Sequence, residues 1–266
     1  MATKQSEFKD LVTQDVMRML EGTPFAHVRH TKDTSSTNDD ASAAMAKPDS
    51  AGLTIVAEHQ RQGVGRKGRT WVDAPKTALL FTTILPVQVK ADLLWAVPFW
   101  VALCIRIAVT RRYGKPLELQ WPNDLLVGGD KVGGIMCTSR VRGDNAMVAC
   151  GVGLNVHRPA EFKAFSAIAP PPAFLEDTIP DIKREPLLGE ILRAFAANLK
   201  LLENPRMIAL RWEAAASLDG TPYRLALDNG EAFEAVAQRL GPDGALIVKV
   251  GDEERTIHLA DARVVR

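Results

Sequence analysis

The sequence predicts an α+β protein in which a larger domain is followed by a small all-β unit. Two short, largely apolar runs, Leu53 to Ala57 and Ala78 to Leu85, indicate buried strands. The apolar stretch from Asp92 to Tyr113 indicates a long and mostly buried helix. From Thr221 onward, short strand patterns alternate with tight turns instead. This change near Leu218 predicts the boundary between the two units.

The composition limits the classes of function that are open to the chain. Its 266 residues suffice for one large domain and a small one, and 46% apolar residues predict a packed core. The net charge of +1 is spread evenly, which argues against a dedicated nucleic-acid-binding surface. No signal-peptide pattern opens the chain. Three cysteines without C-x-x-C spacing are expected to be buried free thiols, which indicates a cytoplasmic protein: Cys104, Cys137 and Cys150.

The first 24 residues predict a helical arm. Apolar side chains recur there at helical spacing, at Phe8, Leu11, Val12, Val16, Met19 and Leu20. Gly22 and Pro24 are expected to end this helix, and Phe25 to Lys32 is typical of a strand. One helix is too little for a helix-turn-helix domain, so we expect the arm to pack on the protein rather than to bind DNA.

The predicted helix from Asp92 to Tyr113 also contains the longest apolar run, Leu93 to Ile105. That run is shorter than the roughly 20 residues that span a membrane, so we expect no membrane association. Pro98 falls in the second turn of the helix, which predicts a kink or a late start.

An unusual stretch, Arg61 to Trp71, combines three glycines with four cationic side chains; we call it the glycine loop. Glycine lets backbone N–H groups approach a ligand closely, and cations favour anions, so the loop is typical of phosphate binding. The spacing of Gly63, Gly65 and Gly68 matches G-x-G-x-x-G, but that dinucleotide-binding fingerprint requires a helix next. The same objection applies to a P-loop, in which Arg69 would also replace the lysine. A solvated basic loop remains an alternative.

Small polar residues stand on either side of the strand that leads to this loop. Ser35-Ser36-Thr37-Asn38 precedes the helix-prone segment from Asp39 to Ala46, and Gln60 lies just before the loop. Ser, Thr and Asn are natural N-caps, so one interpretation is a capping sequence. The other is a group of small donors and acceptors that binds a neutral polar ligand.

Two further stretches carry candidate site residues. Trp121 to Val127 and Lys131 to Met136 predict a hairpin that brings Asp124 close to Lys131, either as a salt bridge or as part of a site. Gly151-Val152-Gly153-Leu154-Asn155 predicts a strand that a backbone or a flat ligand approaches closely, with a simple bulge as the alternative.

The rest of the chain, from residue 157 onward, predicts packing elements. Residues 157–182 are irregular and proline-rich, which is typical of a surface or lid segment. Two helices follow, Leu187 to Leu202 and Met207 to Ala215. The four predicted strands of the C-terminal unit are Tyr223 to Leu227, Ala232 to Leu240, Ala245 to Val250 and Thr256 to Leu259. This unit is too small to be robust alone, so we expect it to dock on the larger domain.

Taken together, these stretches resemble the biotin–protein ligases, which share a catalytic fold with class II aminoacyl-tRNA synthetases and lipoate ligases. The resemblance runs from about residue 25 to the end and rests on four motifs in order. They are Ser36-Thr37-Asn38, Gln60 with the glycine loop, Trp121-Pro122-Asn123-Asp124 with Lys131 and Gly134-Ile135, and Gly151 to Asn155. It implies a mixed β-sheet flanked by helices with a small SH3-like β-barrel. The implied division is 1–24 for the arm, 25–217 for the catalytic domain and 218–266 for the barrel.

The resemblance also implies a role for individual residues. The biotin-binding set would be Ser36, Thr37, Asn38, Gln60, Val64, Gly65, Arg66 and Lys131. ATP and the adenylate would contact Arg66, Arg69, Trp71, Asn123 and Asn155. The catalytic residues would be Lys131, Arg66 and Asp124, with Asp124 acting with Mg²⁺ or orienting the incoming lysine.

The implied activity is that of an enzyme that couples ATP to biotin attachment. Biotin and ATP would form biotinyl-5′-AMP, and biotin would pass to a lysine of a biotin carboxyl carrier protein domain. The family loop usually has arginine where Val64 stands, so a related lipoate or acyl ligase, or a non-catalytic biotin-binding homologue, remains an alternative. Residues 1–24 do not supply the DNA-binding domain of the family's regulatory members, so we expect a stand-alone monomer or homodimer that binds no nucleic acid.

Overall fold

The larger part of the molecule is built on one mixed β-sheet with helices packed against it. The computed structural model describes residues 8–159, 165, 168, 170–228, 230–259 and 262–265. Its α-helices are α1 (Thr13–Met19), α2 (Thr37–Ala44), α3 (Val97–Tyr113), α4 (Arg184–Asn198) and α5 (Pro205–Ala216). Its first ten strands are β1 (Val28–Thr31), β2 (Thr54–Ala57), β3 (Gly63–Val64), β4 (Thr70–Trp71), β5 (Ala78–Ile84), β6 (Val89–Lys90), β7 (Glu118–Gln120), β8 (Asp124–Val127), β9 (Asp130–Arg142) and β10 (Asn145–Asn155).

The order of the strands places β10 and β9, which carry Asn155 and Lys131, in the interior of this sheet. The sheet has eight strands, with β1-β2-β5-β10-β9-β8-β7 as its main path and β6 paired with β10. The β1–β2 pair is parallel and the other pairs are antiparallel, so the sheet is mixed, as predicted. Every residue of β5 is buried, which explains why its sequence is apolar on both faces.

The long helix α3 forms the centre of the hydrophobic core. It packs against α4 and α5 and buries large side chains that include Phe99 and Trp100. Pro98 lies in its first turn, after a 3₁₀ turn over Ala91–Ala96, so the predicted late start is confirmed. Together the two elements, Ala91–Tyr113, are long and apolar enough to cross a membrane by length and composition, which the shorter run alone did not predict. Buried positions make up 61% of the most apolar window, as expected for a core helix.

The N-terminal arm is less helical than its apolar spacing predicts. Only Thr13–Met19 is helical among the described residues of the arm, which begin at Phe8. Two backbone N–H groups before the helix are taken by distant carboxylates: Leu11 donates to Glu58 Oε1 at 2.5 Å and Val12 donates to Glu185 Oε1 at 3.3 Å. These tertiary hydrogen bonds hold that segment extended, and they dock the arm on the larger domain.

The C-terminal unit is a separate antiparallel sheet. Its strands are β11 (Pro222–Leu227), β12 (Ala232–Leu240), β13 (Leu246–Val250), β14 (Glu253–Ile257) and β15 (Ala262–Val264), in the order β14-β13-β12-β11-β15. The last predicted strand, Thr256 to Leu259, was placed too late, and β15 was missed. A five-stranded sheet of this kind agrees with the SH3-like unit that the resemblance implies.

The two sheets share one hydrophobic core. Trp121, fully buried, donates from Nε1 to the carbonyl of Gly244 at 3.1 Å, and its backbone N–H lies 3.3 Å from the hydroxyl of Tyr223. Trp95 and Phe99 pack so closely on Gly244 that a Cβ there would lie 2.7 Å and 2.9 Å from their rings. The predicted docking of the C-terminal unit on the larger domain therefore has a defined apolar contact.

All three cysteines are free thiols, as predicted. Cys104 and Cys150 are buried, and burial raises the pKa of the Cys104 thiol, whereas Cys137 is partly exposed. Burial was therefore predicted correctly for two of the three.

Candidate active site

One cleft of about 470 Å³ collects the residues that the sequence singled out. It lies between the N-terminus of α2, the glycine loop, the β8–β9 hairpin and the end of β10. All thirteen candidate residues line it: Ser36, Thr37, Asn38, Gln60, Val64, Gly65, Arg66, Arg69, Trp71, Asn123, Asp124, Lys131 and Asn155. They come from segments more than one hundred positions apart, so the fold and not the sequence brings them together.

A buried network of neutral hydrogen bonds lies at one part of the cleft. We call its members the floor of the cleft: Ser36, Thr37, Asn38, Gln60 and Thr82. Ser36 is the N-cap of α2, and its Oγ accepts from the Asn38 N–H at 3.2 Å, so the capping interpretation is confirmed. Gln60 Oε1 accepts from the Thr37 N–H at 2.8 Å and lies 3.0 Å from Thr37 Oγ1. The capping residues also line the cleft, which means that the two interpretations of this segment do not compete.

Thr82 is the member of the floor that the sequence did not reveal. It lies on β5 and is fully buried, with Oγ1 at 2.8 Å from Thr37 Oγ1 and 2.7 Å from Asn38 Oδ1. Asn38 also donates from Nδ2 to the carbonyl of Met136 at 3.3 Å. Gly151 makes room for this amide, because a Cβ there would lie 2.1 Å from Asn38 Oδ1. A lone threonine in an apolar strand carries no signal of such a role.

The glycine loop lies between two strands, β2 and β5, and itself contains a short strand pair that the sequence did not predict. β3 pairs with β4, and the intervening turn holds Lys67 and Gly68 at positive φ, 56° and 71°. No helix follows, so the dinucleotide-binding and P-loop alternatives are excluded.

The base of the loop is closed by Asp73. Asp73 Oδ2 lies 2.8 Å from His59 Nδ1, and Asp73 Oδ1 accepts from the Gln60 N–H at 3.3 Å. Burial raises the pKa of the Asp73 carboxyl, and the hydrogen bond with His59 opposes that shift. Since Gln60 belongs to the floor, this contact joins the loop and the floor at one point.

The four cations of the loop divide into two groups. Arg66 and Arg69 line the cleft, whereas Arg61 pairs with Asp33 at 2.5 Å and Lys67 pairs with Asp228 of the C-terminal unit. The loop therefore directs two of its four positive charges to the cleft.

Arg66 reaches across the cleft to two other segments. Its guanidinium donates to the carbonyl of Leu259 and, at 3.5 Å, to Asn123 Oδ1. Burial lowers the pKa of Arg66, with a further lowering from Arg69 and an opposing effect of Asp124. An arginine remains charged under all physiological conditions, so the cleft contains a partly desolvated positive charge.

The β8–β9 hairpin brings Asp124 and Lys131 together, as predicted. Lys131 Nζ lies 2.6 Å from Asp124 Oδ1, next to a register shift between Leu125 and Leu126. The side chains keep about a third and a fifth of their surface exposed, respectively, so both are accessible from the cleft. The salt-bridge interpretation is thus confirmed, and it leaves a lysine amine at the centre of the lining.

Trp71 and Asn155 line the cleft along the last part of β10. The Trp71 ring lies directly on β10, where a Cβ at Gly153 would come within 2.6 Å of its Cε2 atom. Asn155 donates from Nδ2 to the carbonyl of Ala173 at 3.2 Å. The alternating glycines of β10 are therefore explained by side chains that pack on the strand: Asn38 on Gly151 and Trp71 on Gly153.

Several lining residues come from segments that the sequence did not assign to a site. Phe165, Ile168, Pro170 and Pro172 belong to the irregular region, and Val264 and Val265 belong to the C-terminal unit. They add apolar surface to the cleft. Within the described part of the chain, no cluster of three or more His, Cys, Asp or Glu side chains could hold a metal.

Comparisons with known proteins agree with this architecture. The profile of the biotin/lipoate A/B protein ligase family matches residues 30–155. The biotin–[acetyl-CoA-carboxylase] ligase of Paracoccus denitrificans is 30% identical over 81% of this chain and 91% of its own length. The ligase of the same name from Mycobacterium tuberculosis is 28% identical over 86% of this chain and 85% of its own length.

A solved structure shares the fold. The biotin protein ligase of Aquifex aeolicus, in complex with biotin and ATP, superposes with a TM-score of 0.71 at 22% identity, over 90% of this chain and 99% of that one. Because the matched sequence extends over nearly the whole Paracoccus relative and the fold over nearly the whole Aquifex one, the chain belongs to the biotin/lipoate A/B protein ligase family, among its biotin–protein ligases.

Proposed function

We propose that this chain activates biotin with ATP and transfers it to a lysine of an acceptor protein. The observation that carries the proposal is that one cleft is lined by a neutral polar floor, by the Trp71 ring with the Asn155 amide, and by the cations Arg66 and Lys131. A ligand with a neutral polar ring, a carboxylate and a nucleotide matches this combination of groups.

In the first step, the carboxylate of biotin attacks the α-phosphorus of ATP and pyrophosphate leaves. Negative charge builds on the phosphoryl oxygens, and Lys131 and Arg66 are the cations that face it. A preorganised group of this kind is worth about 3–4 kcal/mol of transition-state stabilisation. In the proposed reaction, ATP takes over the place of Asp124 as a partner of Lys131.

In the second step, a lysine amine of the acceptor attacks the acyl carbonyl of biotinyl-5′-AMP, and AMP leaves. The acceptor that we propose is a biotin carboxyl carrier protein domain. The glycine loop would shield the mixed anhydride from water until the acceptor lysine arrives. Its apolar Val64, which is 43% exposed, adds no charge at this point of the cleft.

Mg²⁺ fits the site in a limited way. Magnesium is usually held by one or two carboxylates together with the phosphates of the substrate, and Asp124 is the carboxylate of the cleft. Asn123 offers a neutral oxygen beside it. When bound, the ion would neutralise charge on the phosphates.

The proposed division of labour follows the fold. Residues 25–217 would carry the chemistry, and residues 218–266 would close the cleft through β15. The arm, residues 1–24, would serve packing. We further propose a cytoplasmic monomer or homodimer without a role in nucleic-acid binding.

The test measures the ATP-dependent incorporation of labelled biotin into a purified biotin carboxyl carrier domain. Wild type should label the acceptor, and Lys131→Ala should reduce labelling by more than a hundredfold because it removes a charge from the reacting phosphate. Lys76→Ala is the matched control: Lys76 pairs with Asp10 at 2.7 Å with similar exposure but lies outside the cleft. Equal rates for the two variants would refute the assigned role of Lys131.

Val64 gives a reason to test a second acid. A related ligase acting on lipoate would also use the cations and Trp71, but it would not need the polar floor. Competition between biotin and lipoate in ATP–pyrophosphate exchange distinguishes a biotin ligase from a lipoate ligase. A preference for lipoate would contradict biotin as the substrate.

A further inference from the structure

We propose that Thr82 is a positioning residue that orients the hydroxyl of Thr37 towards a biotin ring. This inference rests on the proposed function, because it concerns the floor that would hold the ring. Thr82 itself is 0% exposed, lies beneath Thr37 and Asn38, and is not among the residues that line the cleft. It can act on a ligand only through its two neighbours.

The floor contains more contacts between side-chain oxygen atoms than it has hydroxyl protons to bridge them. Three contacts run in a chain: Gln60 Oε1 to Thr37 Oγ1 at 3.0 Å, Thr37 Oγ1 to Thr82 Oγ1 at 2.8 Å, and Thr82 Oγ1 to Asn38 Oδ1 at 2.7 Å. Both ends are carbonyl oxygens that only accept, and each threonine contributes one proton. Two protons must therefore serve three contacts.

The neighbouring hydrogen bonds decide where those two protons lie. The amide nitrogen of Asn38 donates to Met136 O, so its oxygen faces Thr82, and Thr82 must donate to it. Gln60 Oε1 already accepts from the Thr37 N–H at 2.8 Å. The proton of Thr37 goes to the second lone pair of Gln60 Oε1 at 3.0 Å, and the Thr82 hydroxyl, which faces Thr37 Oγ1 at 2.8 Å as well as Asn38 Oδ1, holds Thr37 Oγ1 in that orientation.

This arrangement leaves the lone pairs of Thr37 Oγ1 free to accept from a ligand. An N–H donor, such as those of a ureido ring, finds an acceptor whose direction is fixed in advance. Without the Thr82 hydroxyl, Thr37 Oγ1 would lose the contact that keeps its proton on Gln60, the proton would be free to turn into the cleft, and a donor ligand would meet a donor. Thr82 thus determines the polarity that Thr37 presents.

The sheet keeps Thr82 in place. Its register partners are Ile55 on β2 and Gly151 on β10, so its strand is paired on both sides. Threonine is branched at Cβ and has few χ1 choices in a strand. The same register brings Gly151 beside it, and the missing side chain of Gly151 is what gives Asn38 its space.

The experiment compares Thr82→Val with Thr83→Val. Thr83 is also fully buried, and its hydroxyl lies 2.9 Å from that of Thr54, but neither residue lines the cleft. Both variants keep the volume and lose one buried hydroxyl: Thr82→Val loses the contacts with Thr37 and Asn38, and Thr83→Val loses the contact with Thr54. Biotin affinity is measured by calorimetry, and KM for ATP is measured in pyrophosphate exchange.

We expect Thr82→Val to weaken biotin binding about tenfold, because one ligand hydrogen bond is lost or reversed. KM for ATP should stay within about twofold, Thr82→Ser should restore biotin affinity, and Thr83→Val should leave it unchanged. In a double-mutant cycle, Thr82→Val should have no further effect once Thr37 is valine, as expected for a residue that acts through Thr37. Thr82→Ala provides the same measurement if the valine variant does not fold.

Two outcomes overturn the inference: equal biotin affinity for Thr82→Val and Thr83→Val, or full additivity with Thr37→Val. Failure of the proposed function is a different result, since wild type itself would then bind no biotin. A fall in thermal stability that is equal in both valine variants would reflect the lost buried hydroxyl and would leave the difference in affinity as the deciding result.

Discussion

The floor of the cleft and the glycine loop solve two different problems of recognition. The floor is neutral, and its α2 and β5 members are between 0% and 9% exposed; hydrogen bonds on regular secondary structure fix them. The loop carries cations, is largely exposed, and two of its cations bind to the C-terminal unit. Neutral hydrogen bonds discriminate well only when desolvated and prearranged, whereas charges act over longer distances and tolerate exposure.

The contrast predicts which ligand each kind of substitution would affect. A change in the floor should alter which ring is bound, with little effect on the nucleotide. A change in the loop should alter how the nucleotide and the adenylate are retained.

The largest effect is expected at a buried ion pair between the end of β2 and the start of α4. Glu58 accepts from Arg184 Nη1 at 2.5 Å, from His30 at 2.8 Å and from the Leu11 N–H at 2.5 Å. Arg184 also donates to Lys9 O at 2.7 Å. Arg184→Met would leave the carboxylate buried without its cation, at a cost of about 3–5 kcal/mol in the free energy of unfolding. Urea denaturation at neutral pH measures it.

Arg239→Met is the control for that substitution. Arg239 forms a two-point ion pair with Glu254, at 2.9 Å and 3.0 Å, but both side chains are more than half exposed. Its loss should change stability far less than Arg184→Met does. If both variants had the same urea midpoint, burial would not be what makes the Glu58–Arg184 pair important for stability.

The next effect separates the floor of the cleft from Trp71. A Cβ at Gly153 would lie 2.6 Å from Cε2 of Trp71, and an indole ring has no flexible end that can yield. Gly153→Ala should displace the ring and raise KM for ATP about tenfold, while biotin affinity without ATP stays the same. Overpacking of this kind also costs roughly 1–3 kcal/mol of stability. Pyrophosphate exchange and calorimetry measure the two ligands separately.

Gly189→Ala adds the same methyl group far from the cleft. There the nearest atoms are the Cε and Sδ of Met19, at 2.5 Å and 2.7 Å, and this side chain can move aside. KM for ATP should be unchanged. An equal change in biotin and ATP binding by Gly153→Ala would mean that the floor and Trp71 are not independent.

The sequence predicted the parts of the site whose spacing is local. A hairpin that brings Asp124 close to Lys131 was predicted from the turn at residues 128–130 and the apolar runs around it. The structure confirms that contact. The strand after the glycine loop was also predicted, because the apolar run that follows the loop has no helical period. In each case the informative residues lie within about a dozen positions of each other.

What could not be predicted depends on contacts between distant segments. Glu58 and Arg184 are 126 positions apart, and no pattern in either segment points to the other. Thr82 looks like any threonine in a buried strand. The helix of the arm is shorter than the apolar spacing predicts because the Leu11 N–H donates to Glu58. This tertiary hydrogen bond overrides the local helix propensity.

The smallest expected effect concerns the ion pair between the loop and the C-terminal unit. Lys67 pairs with Asp228, whose side chain is 63% exposed, so Asp228→Ala should change the free energy of unfolding by about 0–1 kcal/mol. Its effect should instead appear in function. If the pair helps to hold the loop over the adenylate, Asp228→Ala should increase the release of biotinyl-5′-AMP severalfold, and the difference from wild type should shrink as salt is added.

Asp33→Ala is the matched control, since Arg61 of the same loop pairs with Asp33 at 2.5 Å but does not line the cleft. Adenylate release should stay at the wild-type rate in this variant. Equal release from both variants would mean that loop charge, and not attachment to the C-terminal unit, governs retention. The Lys67–Asp228 pair would then be dispensable, and the contact of the loop with the C-terminal unit would rest on Arg66, which donates to the carbonyl of Leu259.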